Sequence, residues 1–216
     1  MAEQSSTLQP VLDARKADWA QKASDEIKRI YGEGIDSVEN SGIVTTAKQV
    51  GDQAPHFNLK NAKGEAVQLS DYLAKGPVVL TWYRGGWCPY CNLTLRHLQA
   101  ALPDFQAAGA HLLALTPELP DKSLSTQEKN ELAFEVLTDE HLQVAHQYGI
   151  VFKLTDEVAT VYKKNFSLED YNGNDSDELP LAATYVIAAD GTITYAFLDA
   201  EYRRRAEPAE ILAALR

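Results

Sequence analysis

Apolar residues recur at helical spacing near the start of the chain. Leu8, Val11, Leu12, Trp19, Ala23, Ile27 and Ile30 can share one face, with Asp, Lys and Arg opposite. The pattern predicts one amphipathic helix over residues 8–30, ended by Gly32 and Gly34. Such a face either covers the core of its own subunit or packs as an arm on a second copy, a possible homodimer, and both uses need the same pattern. From Val50 onward the texture changes to short strand and helix patterns in alternation. Residues 57–60 and 66–69 flank Asn61 to Gly64 as a hairpin, and a short helix over 70–73 stops at Gly76 and Pro77. Residues 78–83, Val-Val-Leu-Thr-Trp-Tyr, form a nearly continuous run suited to a strand buried on both faces.

A long helix is expected over 89–107, its buried stripe supplied by Leu93, Leu95, Leu98, Ala101, Leu102 and Phe105, with a kink or break at Pro103. Strands follow at 111–115 and 133–137, and helices at 123–130, 141–148 and 158–164. The acidic stretch 169–178 has little to bury and reads as a loop. A hairpin over 184–188 and 192–197 turns on Asp190 and Gly191, and a helix over 207–215, with Pro208 in its first turn, ends the pattern. These elements describe an α/β protein with two parts: an N-terminal helical extension over 1–49 and a second domain over 50–216.

Composition narrows what such a protein does. The 216 residues carry 31 acidic against 20 basic side chains, a formal net charge of −11, which disfavours a nucleic-acid backbone or an anionic membrane as partner. No apolar run reaches the ~20 residues of a membrane helix. The first ten residues lack the basic and apolar regions of a signal peptide, so a cytoplasmic setting is expected. There are 2 cysteines, and in a reducing compartment a pair is more use as chemistry than as a staple.

Both lie in the segment Val78-Val-Leu-Thr-Trp-Tyr-Arg-Gly-Gly-Trp-Cys-Pro-Tyr-Cys91. A buried strand runs into a Gly-Gly turn that delivers Cys88 to the first turn of a helix, where free N–H groups and the helix dipole favour a thiolate. Cys91, three residues on, shares a helical face with it, within reach of a disulfide. Pro89 suits the first helical position. Gly85 and Gly86 leave room for a peroxide or a partner backbone to approach. Arg84 adds positive charge, and Trp87 and Tyr90 can wall the site. Alternatives to a redox dithiol are two inert cysteines, a cluster bridged between subunits, and a zinc site. One Cys-x-x-Cys pair falls short of four zinc ligands, with His97 the nearest third candidate, so no metal or cofactor is assigned.

These residues resemble the peroxiredoxin and thioredoxin superfamily over residues 50–216. Val50-Gly-Asp-Gln-Ala-Pro-His-Phe57 is similar to the opening strand motif of peroxiredoxins, and the run before Arg84 to their central strand. In that family a Pro opens the site, a Thr or Ser follows, and the peroxidatic Cys stands three residues later. Here those positions are Arg84, Cys88 and Cys91. The combination looks like the peroxiredoxin-like branch of the AhpC/TSA family, as does the segment from Asp199 to Pro208. The resemblance implies a thioredoxin-like fold, a central mixed β-sheet flanked by helices. The Arg that precedes the late strand in peroxiredoxins would fall near Ala182 and is absent. Arg84 or one of Arg203, Arg204 and Arg205 is the candidate replacement, although an Arg triplet also suits a solvated charge run.

The expected activity is that of a thiol peroxidase. Cys91 attacks a hydroperoxide and becomes a sulfenic acid, Cys88 condenses with it to a disulfide, and a thioredoxin- or glutathione-type reductant restores the dithiol. Two alternatives stay open at this level. One is a thiol–disulfide oxidoreductase with Cys88 as nucleophile and Cys91 resolving; the other is a redox-switched interaction protein.

Overall fold

A computed structural model describes residues 7–216. At its centre lies a seven-stranded sheet in the order β2-β1-β5-β4-β3-β8-β9. The strands are β1 (Asn58–Asn61), β2 (Ala66–Gln68), β3 (Val78–Trp82), β4 (His111–Thr116), β5 (Glu135–Thr138), β8 (Thr184–Ile187) and β9 (Ile193–Phe197). β3, β4 and β5 run parallel and the outer pairs antiparallel, so the sheet is mixed. β6 (Val151–Lys153) and β7 (Glu178–Pro180) form a separate antiparallel pair.

Strand alternation divides the core in two. Val78, Leu80 and Trp82 of β3 join Leu113, Leu115, Leu137, Tyr185 and Ile187 on one face, covered by α7 (Gln143–Tyr148). Val79 points the other way, with Leu112, Ala114, Val136 and Val186. There α5 (Pro89–Ala107) buries Leu95, Leu98, Leu102 and Phe105, alongside α10 (Pro208–Ala214). The continuous apolar run of β3 thus reflects a central strand packed on both faces, as its sequence predicts.

The N-terminal pattern resolves into separate helices, α1 (Leu8–Lys22), α2 (Asp25–Asn40) and the one-turn α3 (Ile43–Thr46). One helix over 8–30 is therefore not what forms. Ala23 is extended, and the Ser24 hydroxyl accepts from the Ile27 N–H to start α2 afresh. Gly32 and Gly34 lie inside α2 rather than ending it; a Cβ on Gly34 would stand 2.7 Å from Val158 Cγ2, so glycine here lets α2 approach α8 (Asp156–Phe166). The apolar side of α1 covers its own chain: Leu8 and Leu12 are buried in the cluster built on α5.

Four other expectations change. Residues 50–57 form no strand, only a bridge between Gln53 and Thr192, in a segment broken by Gly51 and Pro55. α5 runs unbroken through Pro103, whose position on the exposed face costs one hydrogen bond without disturbing the buried stripe. The acidic stretch is partly ordered: α9 (Leu168–Asn172) buries Leu168, and Glu178 begins β7. The helix expected over 141–148 opens as a short 3₁₀ turn at Glu140–Leu142, with His141 and Leu142 left-handed, before α7 proper. Among the described residues no helix is long and apolar enough to cross a membrane.

Candidate active site

Beyond Trp82 the chain passes over Gly85 and Gly86 to Cys88, which occupies the N-cap of α5, with Pro89 at its first position and Cys91 in its first turn. Side chains from α5 itself and from beyond β4 hold this turn. The Gly86 N–H donates to Glu118 Oε1 at 2.7 Å, and Asn92 Nδ2 donates to the carbonyls of Gly86 (2.8 Å) and Cys88 (3.0 Å). Asn130 Nδ2 in turn donates to Asn92 Oδ1 at 2.7 Å. The room left by the two glycines is filled by the protein itself. A Cβ on Gly85 would lie 2.1 Å from Trp87 Nε1, and one on Gly86 2.1 Å from Thr126 Oγ1.

Cys88 and Cys91 are both buried and unbridged. Burial by itself would push both thiols up. For Cys91 this is outweighed by a hydrogen bond from Cys88 and by the charges of Arg205 and Arg84, which hold it well below the usual thiol range. Arg205 Nη2 donates to Cys91 Sγ at 3.5 Å. For Cys88, burial and its role as partner of Cys91 act together and raise it. The pair is therefore asymmetric: Cys91 is shifted down and Cys88 up. At Cys88 burial and the neighbouring Cys91 outweigh both the N-cap position and the arginines, which act to lower it.

The arginine triplet divides three ways. Arg203 is half-buried and doubly bonded to Glu201, Arg204 is exposed near Asp199, and Arg205 is buried beside Cys91 with its guanidinium also donating to the carbonyls of Tyr202 and Arg204. Arg84 is also buried. Its Nη2 donates to Tyr162 Oη at 2.7 Å, and its guanidinium lies over the rings of Tyr202 (4.3 Å), Trp87 (5.2 Å) and Tyr162 (5.3 Å). Among the described residues Nε and Nη1 of Arg84 have no hydrogen-bond partner. Of the candidate cations, Arg84 and Arg205 are thus buried, Arg205 directly beside Cys91.

Arg84, Trp87, Cys88 and Tyr90, all singled out in the sequence, come together around a cavity of about 290 Å³. Trp87 stacks on Phe166 and Tyr90 meets Tyr202 edge-on. Cys91 lies behind Cys88 and is not part of the cavity wall. His97 faces away from this chemistry, its Nδ1 2.8 Å from the Leu93 carbonyl of its own helix. Sequence reasoning passed over Tyr162, Phe166 and Tyr202, and also Arg15, Trp19 and Tyr31, which α1 and α2 bring to the same cavity. It also missed Glu118, fully buried just beyond β4 with its carboxyl pushed up by burial. A carboxylate in an apolar run next to Thr116 and Pro117 was its one visible signal.

Residues 50–196 match the AhpC/TSA family. The chain is 35% identical over 101 residues to the putative peroxiredoxin bcp of Haemophilus influenzae, an alignment covering 47% of this chain and 64% of that protein, just under two thirds of its length. With peroxiredoxin Bcp of Escherichia coli K12 the identity is 28% over 151 residues, or 70% of this chain and 86% of the relative. In structure it resembles peroxidoxin BcpB from Mycobacterium tuberculosis, with a TM-score of 0.61 and 21% identity over 77% of this chain and 96% of the other, a likeness of fold.

Proposed function

The chain belongs to the AhpC/TSA family, and from that footing we propose that it is a peroxiredoxin-like thiol peroxidase whose two sulfurs divide the work. Cys91 thiolate attacks the distal oxygen of a hydroperoxide. The O–O bond breaks, Cys91 becomes a sulfenic acid, and the departing alkoxide or hydroxide takes up a proton. Cys88 then attacks the Cys91 sulfur and expels water, leaving a disulfide, and an external thiol reductant returns the pair to the dithiol. The observation that carries this reading is Arg205 Nη2 at 3.5 Å from Cys91 Sγ, which fixes positive charge beside a buried sulfur. Arg84 contributes a second cation, and Trp87 and Tyr90 wall the cavity in front of Cys88. The two unbridged thiols suit a reducing, cytoplasmic setting.

Peroxide consumption by Cys91→Ser and Cys88→Ser variants tests the assignment. Cys91→Ser loses turnover, by about a hundredfold or more given the role of the nucleophile, whereas Cys88→Ser completes one turnover and retains a trappable sulfenic acid. Undiminished turnover in Cys91→Ser overturns it. The placement of Cys88 on the cavity wall favours a second reading, a thiol–disulfide oxidoreductase opened by Cys88. That reading requires protein disulfides to be reduced by the dithiol faster than hydroperoxides.

A further inference from the structure

Cys88, raised and recessed, is the sulfur that faces the cavity, while Cys91 sits behind it. When the two are joined, an incoming thiol therefore meets Cys88 first, and the bond it breaks releases Cys91, the sulfur that Arg205 stabilises as a thiolate. A better-stabilised thiolate leaves faster, so approach and leaving group agree on the same direction of attack.

The wall of the cavity says what kind of thiol fits. Among the described residues it carries two arginines, Arg84 and Arg15, the latter 3.4 Å from Asp18 outside the wall, and no acidic side chain, although the chain as a whole has a net charge of −11. Arg84 is almost wholly buried, and two of its nitrogens, Nε and Nη1, have no hydrogen-bond partner among the described residues. An unpaired buried guanidinium is costly, and an anionic group of a ligand would satisfy it. The remaining wall is largely aromatic: Trp19 and Tyr31 stack at 5.5 Å, Trp87 and Phe166 at 5.2 Å, and Tyr162 meets Tyr31, Trp87 and Phe166 between them. The N-terminal helices thus turn the mouth of the site into a recess. A recess of about 290 Å³ over a buried sulfur admits a small molecule more readily than the surface of a folded partner.

We propose that the cavity over Cys88 is the reductant site, and that it takes a low-molecular-weight thiol bearing carboxylates, with Arg15, Trp19 and Tyr31 of the N-terminal helices acting as specificity residues. The step balances. The small thiolate bonds to Cys88 Sγ, the Cys88–Cys91 bond breaks, and its electron pair stays on Cys91. A second small thiolate attacks the sulfur of the first, releasing Cys88, which takes up a proton. Two thiols become one disulfide as the protein disulfide gains two electrons.

The proposal rests on the Cys88–Cys91 disulfide of the peroxidase reading, so its test begins after that step. The 216-residue chain is oxidised with diamide, without peroxide, and re-reduction is followed with glutathione, 2-mercaptoethanol and cysteamine at matched thiolate concentrations, and with thioredoxin. Glutathione should exceed both small thiols by about tenfold, as expected of fixed charge in a partly buried site, and lose that lead in high salt. Arg15→Glu should shrink the ratio of glutathione to 2-mercaptoethanol rates several-fold. In Cys91→Ser, glutathione disulfide should leave a mixed disulfide on Cys88, detectable by mass. Equal rates for the three small thiols, or reduction by thioredoxin alone, overturns the proposal. First-turnover peroxide consumption on the same preparation reports separately on the peroxidase reading: if it fails while diamide-formed disulfide is still reduced selectively by glutathione, only that reading falls.

Discussion

Arg205 Nη2 lies 3.5 Å from Cys91 Sγ although 114 positions separate them in the chain. The contact is made because the segment after β9 folds back over the start of α5, where Ala206 and Ile211 join the same apolar cluster as Cys88 and Cys91. The C-terminal segment is therefore part of the site, and the chemistry of Cys91 depends on its being docked.

Replacing Arg205 by Met keeps most of the volume and removes the charge. Burial then acts on Cys91 with less opposition, and its pKa rises. In a Cys88→Ser background, alkylation of Cys91 should persist to lower pH with Arg205 present than without it. In the Met variant it should fall with pH, with a rate at neutral pH lower by about tenfold. Identical pH profiles would mean that Arg205 serves only to hold Tyr202 and Arg204 through their carbonyls.

Glu118 gives a pH effect of opposite sign. Burial raises its carboxyl above the usual range, against the Gly86 N–H bond that lowers it. A carboxyl raised in the folded state contributes its stability below the unfolded value, near 4.3, and loses it as pH rises through the folded value. Glu118→Gln keeps an acceptor for Gly86 and removes the ionisation. Its urea midpoint should therefore gain on the wild type as pH rises from acid to neutral, and a constant difference across that range would show the carboxyl to be unperturbed.

The parts of the site that were legible in the sequence are those written locally. The β-branched run of β3, the Gly-Gly turn and Pro89 together locate Cys88 and Cys91 at a strand-to-helix junction, because each states a backbone preference within a few residues. Arg205 was legible only as a member of a charged triplet. Asp199 and Glu201 beside it suggest solvated pairs, and Arg203 and Arg204 do pair with them; nothing within the run marks which of the three turns inward. The N-terminal helices show the same limit. Their apolar spacing was visible, but Ser24 outweighed the periodicity that joined them, and Gly34 proved to be a packing choice set by Val158. The wall they form at Cys88 depends on tertiary placement and has no signal along the chain.

Gly86→Ala should cost stability through a single collision. The new Cβ would stand 2.1 Å from Thr126 Oγ1 and 3.2 Å from Thr126 Cβ, so the residue must shift, and overpacking of this kind costs about 1–3 kcal/mol. Thr126→Ala removes the hydroxyl. The double variant should then be more stable than the sum of the two single losses, measured by chemical denaturation. Strict additivity would place the cost of Gly86→Ala elsewhere, in the turn's backbone or in the neighbouring Glu118.

Glu207 ties the N-terminal wall to the far end of the chain. Its carboxylate accepts from the backbone N–H groups of Leu8 (3.0 Å) and Gln9 (2.6 Å), the first two residues of α1, a pairing that also suits the positive end of the helix dipole. Glu207→Ala leaves both donors without this partner and should cost about 1 kcal/mol, as loss of a cap does. Because α1 carries Arg15 and Trp19 to the cavity over Cys88, the loss should also reach the site. Amide exchange over Leu8–Lys22 should quicken while that of β3 and β4 stays slow, and the diamide-formed disulfide should be reduced with less preference for glutathione. Faster exchange at α1 with an unchanged preference would show that the helix stabilises the fold without shaping the approach to Cys88.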